Sequence, residues 1–131
     1  MATTKPQIHA LLIEDEPEAA ELVKISLSQS GEFSLEWAPS LLEGMKRLVR
    51  PGVDVIILDL GMPELSGYKT HRAIEAVTGR KIPVVILTGD ERRVSRDATL
   101  ESGAIHYFVK GQTSPVELRR VLRQAVADFK P

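Results

Sequence analysis

Val53-Asp54-Val55-Ile56-Ile57-Leu58-Asp59 is a nearly continuous apolar run that ends on a carboxylate. A run of this kind is what a central parallel strand, covered on both faces, requires. Three further runs share its design. Leu11-Leu12-Ile13 leads into Glu14-Asp15, Val84-Val85-Ile86-Leu87 into Thr88, and Ile105 to Val109 into Lys110. Phe33, Leu35 and Trp37 alternate with Ser34 and Glu36, as in a strand nearer an edge. If these runs are neighbouring parallel strands, the acids, the hydroxyl and the lysine meet at one edge of one sheet. Such a cluster suits a divalent cation and a phosphoryl group.

Helical patterns separate the runs. Pro17 sits in the first turn of one, with Glu16 and Glu18 facing the positive end of its dipole. Ala19, Leu22, Val23 and Leu27 are its expected buried stripe, and Gly31 closes it. Ser40-Leu41-Leu42-Glu43 is a capping box. It opens a helix with Leu41, Leu42, Met45, Leu48 and Val49 expected inward, stopped by Pro51-Gly52. Two more helices are expected, over about residues 66–77 and 91–102. The second carries three arginines and only a thin stripe of Val94 and Ala98, which fits a segment that moves at little cost. Ser114-Pro115-Val116-Glu117 is a second capping box. The last helix puts Leu118, Val121, Leu122, Ala125, Val126 and Phe129 inward.

Five strands and five helices in strict alternation predict an α/β fold, a doubly wound parallel sheet with helices on both faces. Ligands bind outside the carboxyl ends of such strands, at the switch point in strand order. A chain of 131 residues suits one domain, with its core over about residues 8–128. A net charge of -1 gives no general attraction to DNA or anionic membranes. With no cysteines, disulfides and thiolate metal sites are excluded. No apolar stretch approaches a membrane span, and Met1 to Lys5 is polar, so a cytoplasmic domain is expected.

The pieces Leu11-Leu12-Ile13-Glu14-Asp15-Glu16-Pro17, Ile56-Ile57-Leu58-Asp59-Leu60-Gly61-Met62-Pro63, Val84-Val85-Ile86-Leu87-Thr88-Gly89-Asp90 and Ser102-Gly103-Ala104-Ile105-His106-Tyr107-Phe108-Val109-Lys110 stand in the order and spacing of a known family. The chain resembles the receiver domain of bacterial two-component response regulators over about residues 8–128. That resemblance implies a flavodoxin-like sheet in the order 2-1-3-4-5. It implies Asp59 as phosphoacceptor, loaded by a histidine kinase or phosphotransfer protein, with a downstream effector protein reading the result. Mg²⁺ would be held by Glu14, Asp15, Asp59 and the backbone carbonyl of Gly61. Thr88 and Lys110 would contact the phosphoryl oxygens, and Thr88 and Tyr107 would form the switch. A homodimer is an open possibility, as is a receiver belonging to a longer regulator. Direct nucleic-acid or membrane binding is not expected.

The roles are chemically coherent. Mg²⁺ prefers oxygen ligands and keeps several waters. Transfer to a carboxylate needs alignment and charge neutralisation more than covalent help from the protein. Singly, Glu14-Asp15 reads as a charged helix start, Thr88 as a strand end and Lys110 as a solvated lysine. Those readings leave the shared sheet edge unexplained. His9, His71 and His106 show no ligand spacing, and the arginines at 92, 93, 96, 119, 120 and 123 read as solvated helix faces.

The family usually has Lys-Pro with a cis bond where this chain has Lys110-Gly111. A cis bond without proline costs about 3–4 kcal/mol, so a trans bond or a rearranged loop is expected. Gly61 and Gly89 are small, which predicts easy water access and a short-lived phosphoryl group. An aspartate-nucleophile phosphatase of the dehalogenase type would need an acid at position 61, which is glycine. A flavodoxin-like cofactor binder would place phosphate against Glu14-Asp15-Glu16, which would repel it. A receiver-like binding module that is never phosphorylated is the remaining rival.

Overall fold

The computed structural model describes residues 8–59, 76, 79, 82–89 and 104–129, with only the backbone described at Thr88 and 104–107. The strands are β1 (Ile8–Ile13), β2 (Phe33–Ala38), β3 (Val55–Asp59), β4 (Val84–Thr88) and β5 (Ala104–Val109). The helices are α1 (Pro17–Ser28), α2 (Leu41–Leu48) and α3 (Pro115–Asp128). The helices expected over about 66–77 and 91–102 lie outside the described residues.

All strands pair in parallel, in the order β2-β1-β3-β4-β5. The order reverses between β1 and β3, so the switch point lies at the ends of those two strands. The apolar run around β3 is buried from Val55 to Asp59. Asp54, its one polar interruption, is exposed and bonds back to β1. Its N–H donates to the His9 carbonyl at 2.8 Å, and its Oδ2 accepts from the His9 N–H at 2.8 Å. A register shift between β4 and β5 makes Ile105 the extra residue, which sets Thr88 level with Val109.

The two faces hold separate apolar clusters. Ala20, Val23 and Leu27 of α1 and Leu118, Val121, Leu122 and Ala125 of α3 cover one face. Leu48 of α2, with Leu41 and Met45 beside it, packs on the other against Leu11, Ile13, Ile56 and Leu58. Gly44 lets α2 come close, since a Cβ there would lie 2.5 Å from Ile13 Cδ1 and 2.8 Å from Cγ1. The serine half of each capping box forms: Ser40 Oγ accepts from the Glu43 N–H at 3.1 Å, and Ser114 Oγ from the Glu117 N–H at 3.2 Å.

Three apolar residues expected inward are exposed: Leu22, Leu42 and Val49. At about 100° per residue, Leu22 lies nearly opposite Ala20, and Leu42 nearly opposite Gly44. Val49 is the C-cap of α2 and leaves the packed stripe. The arginines of α3 are engaged within the domain. Arg119 donates to the Ser26 carbonyl at 2.7 Å, Arg120 pairs with Glu117, and Arg123 grips Glu32 at 2.5 and 2.7 Å. Arg92, Arg93 and Arg96 lie outside the described residues. No described helix is long and apolar enough to cross a membrane.

Candidate functional site

The parallel register brings strand ends from distant parts of the chain to one rim. Ile13 pairs with Leu58, so Glu14 follows β1 at the level of Asp59, the last residue of β3. Leu87 pairs with Asp59, and Thr88 with Val109, the residue before Lys110. Glu14 and Asp59 are enclosed, at 0% and 1% exposure, whereas Asp15 is exposed at the mouth. One carboxylate oxygen from each of Glu14, Asp15 and Asp59 lies within 4.8 Å of the others.

Lys110 reaches into this acidic group. Its Nζ lies 2.5 Å from Glu14 Oε1, 3.3 Å from Asp59 Oδ2 and 3.6 Å from Glu16 Oε1. Burial opposes its charge. The hydrogen bond that it donates to Glu14 and the charges of Asp59, Glu14 and Glu16 outweigh that and hold its pKa above the ordinary value. Glu14 moves the other way. Burial first, then the hydrogen bond and negative charge of Asp59, push it up to about 8 against the opposing pull of Lys110.

Glu14 Oε2 shows what the pocket lacks. It is buried, and no hydrogen-bond donor among the described residues reaches it. A buried acceptor left so is costly. A proton on Glu14 resolves it by allowing donation to Asp59, and a cation resolves it by accepting the lone pair. Two enclosed carboxylates, one of them with this free oxygen, and a third at the mouth are hard donors, the set that suits Mg²⁺.

The Lys110-Gly111 step answers the question raised by the missing proline. Among the described residues no peptide bond is cis. The Gln112 N–H donates to the Val109 carbonyl at 3.1 Å, and Gly111 has φ +79°. This is the pattern of a type II turn, which demands a positive φ at its third residue and favours glycine there. The turn places Lys110 at its second position, pointing along the rim.

Of the residues singled out in the sequence, Glu14, Asp15, Asp59 and Lys110 converge. Thr88 and Tyr107 take their backbone places on β4 and β5, but their side chains are not among the described parts, and Gly61 lies outside the described residues. Two contributors went unread. Glu16 adds a third carboxylate to Lys110, a role its place beside the acidic pair could have suggested. Trp37, at the end of β2, donates its indole N–H to the Glu14 carbonyl at 2.7 Å. Only the β1–β2 register reveals that contact.

The sequence profile of the response regulator receiver domain matches residues 10–123. The chain belongs to that family. The receiver is similar to the receiver domain of a sensor histidine kinase from Pseudomonas aeruginosa PAO1, solved with a magnesium ion coordinated in its active-site cleft. That match has a TM-score of 0.77 and 26% identity, covering 92% of this chain and 98% of the other. A response regulator receiver domain protein from Clostridium thermocellum matches with TM-score 0.79 and 28% identity, over 92% and 94%. Among sequence relatives, an uncharacterized 14.6 kDa protein of the sodA1 3'region of Leptolyngbya boryana is 30% identical, covering 98% of this receiver and 97% of itself. Response regulator MprA of Mycobacterium sp. (strain KMS) is 28% identical over 95% of this receiver and 54% of its own length. The receiver thus spans nearly all of one relative and about half of the response regulators it matches.

Proposed function

We propose that this receiver accepts a phosphoryl group on Asp59 from the phosphohistidine of a histidine kinase or phosphotransfer protein and passes the signal to a protein effector. The observation that carries the reading is the enclosed Asp59 carboxylate, held with Glu14 and Asp15 in one group and faced by Lys110 Nζ at 3.3 Å. Glu14, Asp15 and Asp59 are the residues that would hold Mg²⁺, with the Gly61 carbonyl as a further candidate. When bound, the cation neutralises charge on the transferring group and on its carboxylate ligands.

The remaining roles belong to the protein. An Asp59 carboxylate oxygen attacks phosphorus, its O–P bond forms as the donor's N–P bond breaks, and the imidazole leaves to be protonated. Lys110 supplies a fixed positive charge, held ready by Glu14 and Glu16. Once Asp59 carries the phosphoryl group, Lys110 has new acceptors and its grip on Glu14 can relax. The Thr88 hydroxyl is the neutral donor on the neighbouring strand, and Tyr107 the aromatic that follows it. Added charge beside Asp59 biases a surface between two states, the general logic of phosphorylation switches. The same site serves a free-standing cytoplasmic receiver or the receiver of a longer regulator.

Intact-mass measurement after incubation with acetyl phosphate, with and without Mg²⁺, tests the reading. One phosphoryl adduct is expected, dependent on Mg²⁺ and absent from Asp59→Ala. No adduct from either acetyl phosphate or a phosphohistidine donor would turn the reading toward a partner-binding module that is never phosphorylated.

A further inference from the structure

Glu14 is fixed by β2 at both of its backbone polar groups. Its N–H donates to the Ala38 carbonyl at 3.1 Å, one step beyond the β1–β2 ladder that ends at Ile13 and Ala38. Its carbonyl accepts the Trp37 indole N–H at 2.7 Å. That carbonyl belongs to the peptide joining Glu14 to Asp15, and a peptide is a rigid plane. Fixing its oxygen therefore fixes the direction in which both acids leave the chain.

Trp37 is poorly placed for a packing role alone. It stands on the edge strand and its side of the sheet leaves it 46% exposed. Leu35, two residues earlier on the same face, packs against the core cluster. The indole N–H of Trp37 is nonetheless committed to the Glu14 carbonyl.

We propose that Trp37 is a positioning residue for the cation site, its indole N–H holding the Glu14–Asp15 peptide so that both carboxylates converge with Asp59. The proposal rests on the reading of Glu14, Asp15 and Asp59 as cation ligands. Loss of the N–H leaves the burial of Glu14 as it was. It frees the peptide plane to rotate, and the three ligand oxygens no longer arrive pre-set. The expected penalty is that of one hydrogen bond, about a fivefold loss of cation affinity.

Calorimetric titration of Mg²⁺ into the whole chain provides the test, comparing wild type, Trp37→Phe and Leu35→Ala. Phenylalanine keeps a ring and removes the donor, and its Mg²⁺ affinity is expected to fall roughly three- to tenfold. Leu35→Ala is expected to lower the melting temperature and leave the affinity unchanged. Equal affinities for wild type and Trp37→Phe would overturn the proposal while leaving the cation site intact. Absence of Mg²⁺ binding by the wild type would overturn the site reading and this proposal with it. Trp37 is the chain's single tryptophan, so its indole N–H gives one resonance in the unaltered protein. That resonance is expected to exchange slowly with solvent and to shift on Mg²⁺ addition. Fast exchange with no shift would also overturn the proposal.

Discussion

Replacing Glu14 by glutamine is expected to stabilise the receiver at alkaline pH and to leave it nearly unchanged in mild acid. Folding raises the Glu14 pKa from 4.5 to about 8. Below the unfolded value both states carry the proton, and nothing is gained or lost. Between the two values the folded state holds a proton that the unfolded state has released. Stability therefore falls as pH rises, by about 1.4 kcal/mol per pH unit. Above about pH 8 the deficit levels off, on the order of 5 kcal/mol before the pocket relaxes. Glutamine has the same shape, accepts from Lys110 through its oxygen, donates to Asp59 through its amide, and does not titrate. Urea denaturation of wild type and Glu14→Gln from about pH 5 to about pH 9 measures the difference directly. The two stabilities should converge near pH 5 and diverge steadily above it, with glutamine ahead. Saturating Mg²⁺ should flatten the wild-type curve, since the cation takes over charge neutralisation from the proton. Parallel curves without Mg²⁺ would refute the reasoning. They would mean that Lys110 neutralises an ionised Glu14 throughout the range.

Three further outcomes follow from the same geometry. Lys110→Ala removes the cation facing Glu14 and Asp59. It should destabilise the fold by about 3 kcal/mol above pH 8 but by less near pH 6, where Glu14 keeps its proton, and denaturation at both pH values checks this. Gly44→Ala gains roughly 1 kcal/mol of helix propensity but forces a Cβ into Ile13, so a net loss of about 1–2 kcal/mol is expected. Adding Ile13→Val should recover part of that loss in a double-mutant cycle, and strict additivity would exclude the clash as its cause. At Gly111 a Cβ would meet nothing within 4 Å, so Gly111→Ala tests conformation alone. It should cost about 1–2 kcal/mol for the positive φ and slow phosphorylation of Asp59 by displacing Lys110, as read from melting curves and timed mass spectra.

Four strands were readable because each is an apolar run with a polar stop, and β2 because its apolar and polar residues alternate. The capping boxes at Ser40 and Ser114 marked helix starts correctly because a cap is a local hydrogen bond between residues three apart. Helix faces were read less well. Leu22, Leu42 and Val49 are as apolar as their buried neighbours, and a pattern cannot say how wide a face the sheet covers. The acids and Lys110 were legible as strand-end residues. Trp37 was not legible as part of the site, because alternation along β2 marks it only as a strand residue.

By itself the sequence determined the class of fold, the parallel sheet and which residues stand at its carboxyl edge, because these follow from local period and from chain order. Family membership follows from the same motifs. The tertiary structure alone decided how those residues act on one another. Register set Glu14 level with Asp59, enclosure of both raised the Glu14 pKa, and a glycine turn aimed Lys110 at the pair. Charge interactions depend on distance and on exclusion of water, and neither exists until strands distant in sequence lie side by side.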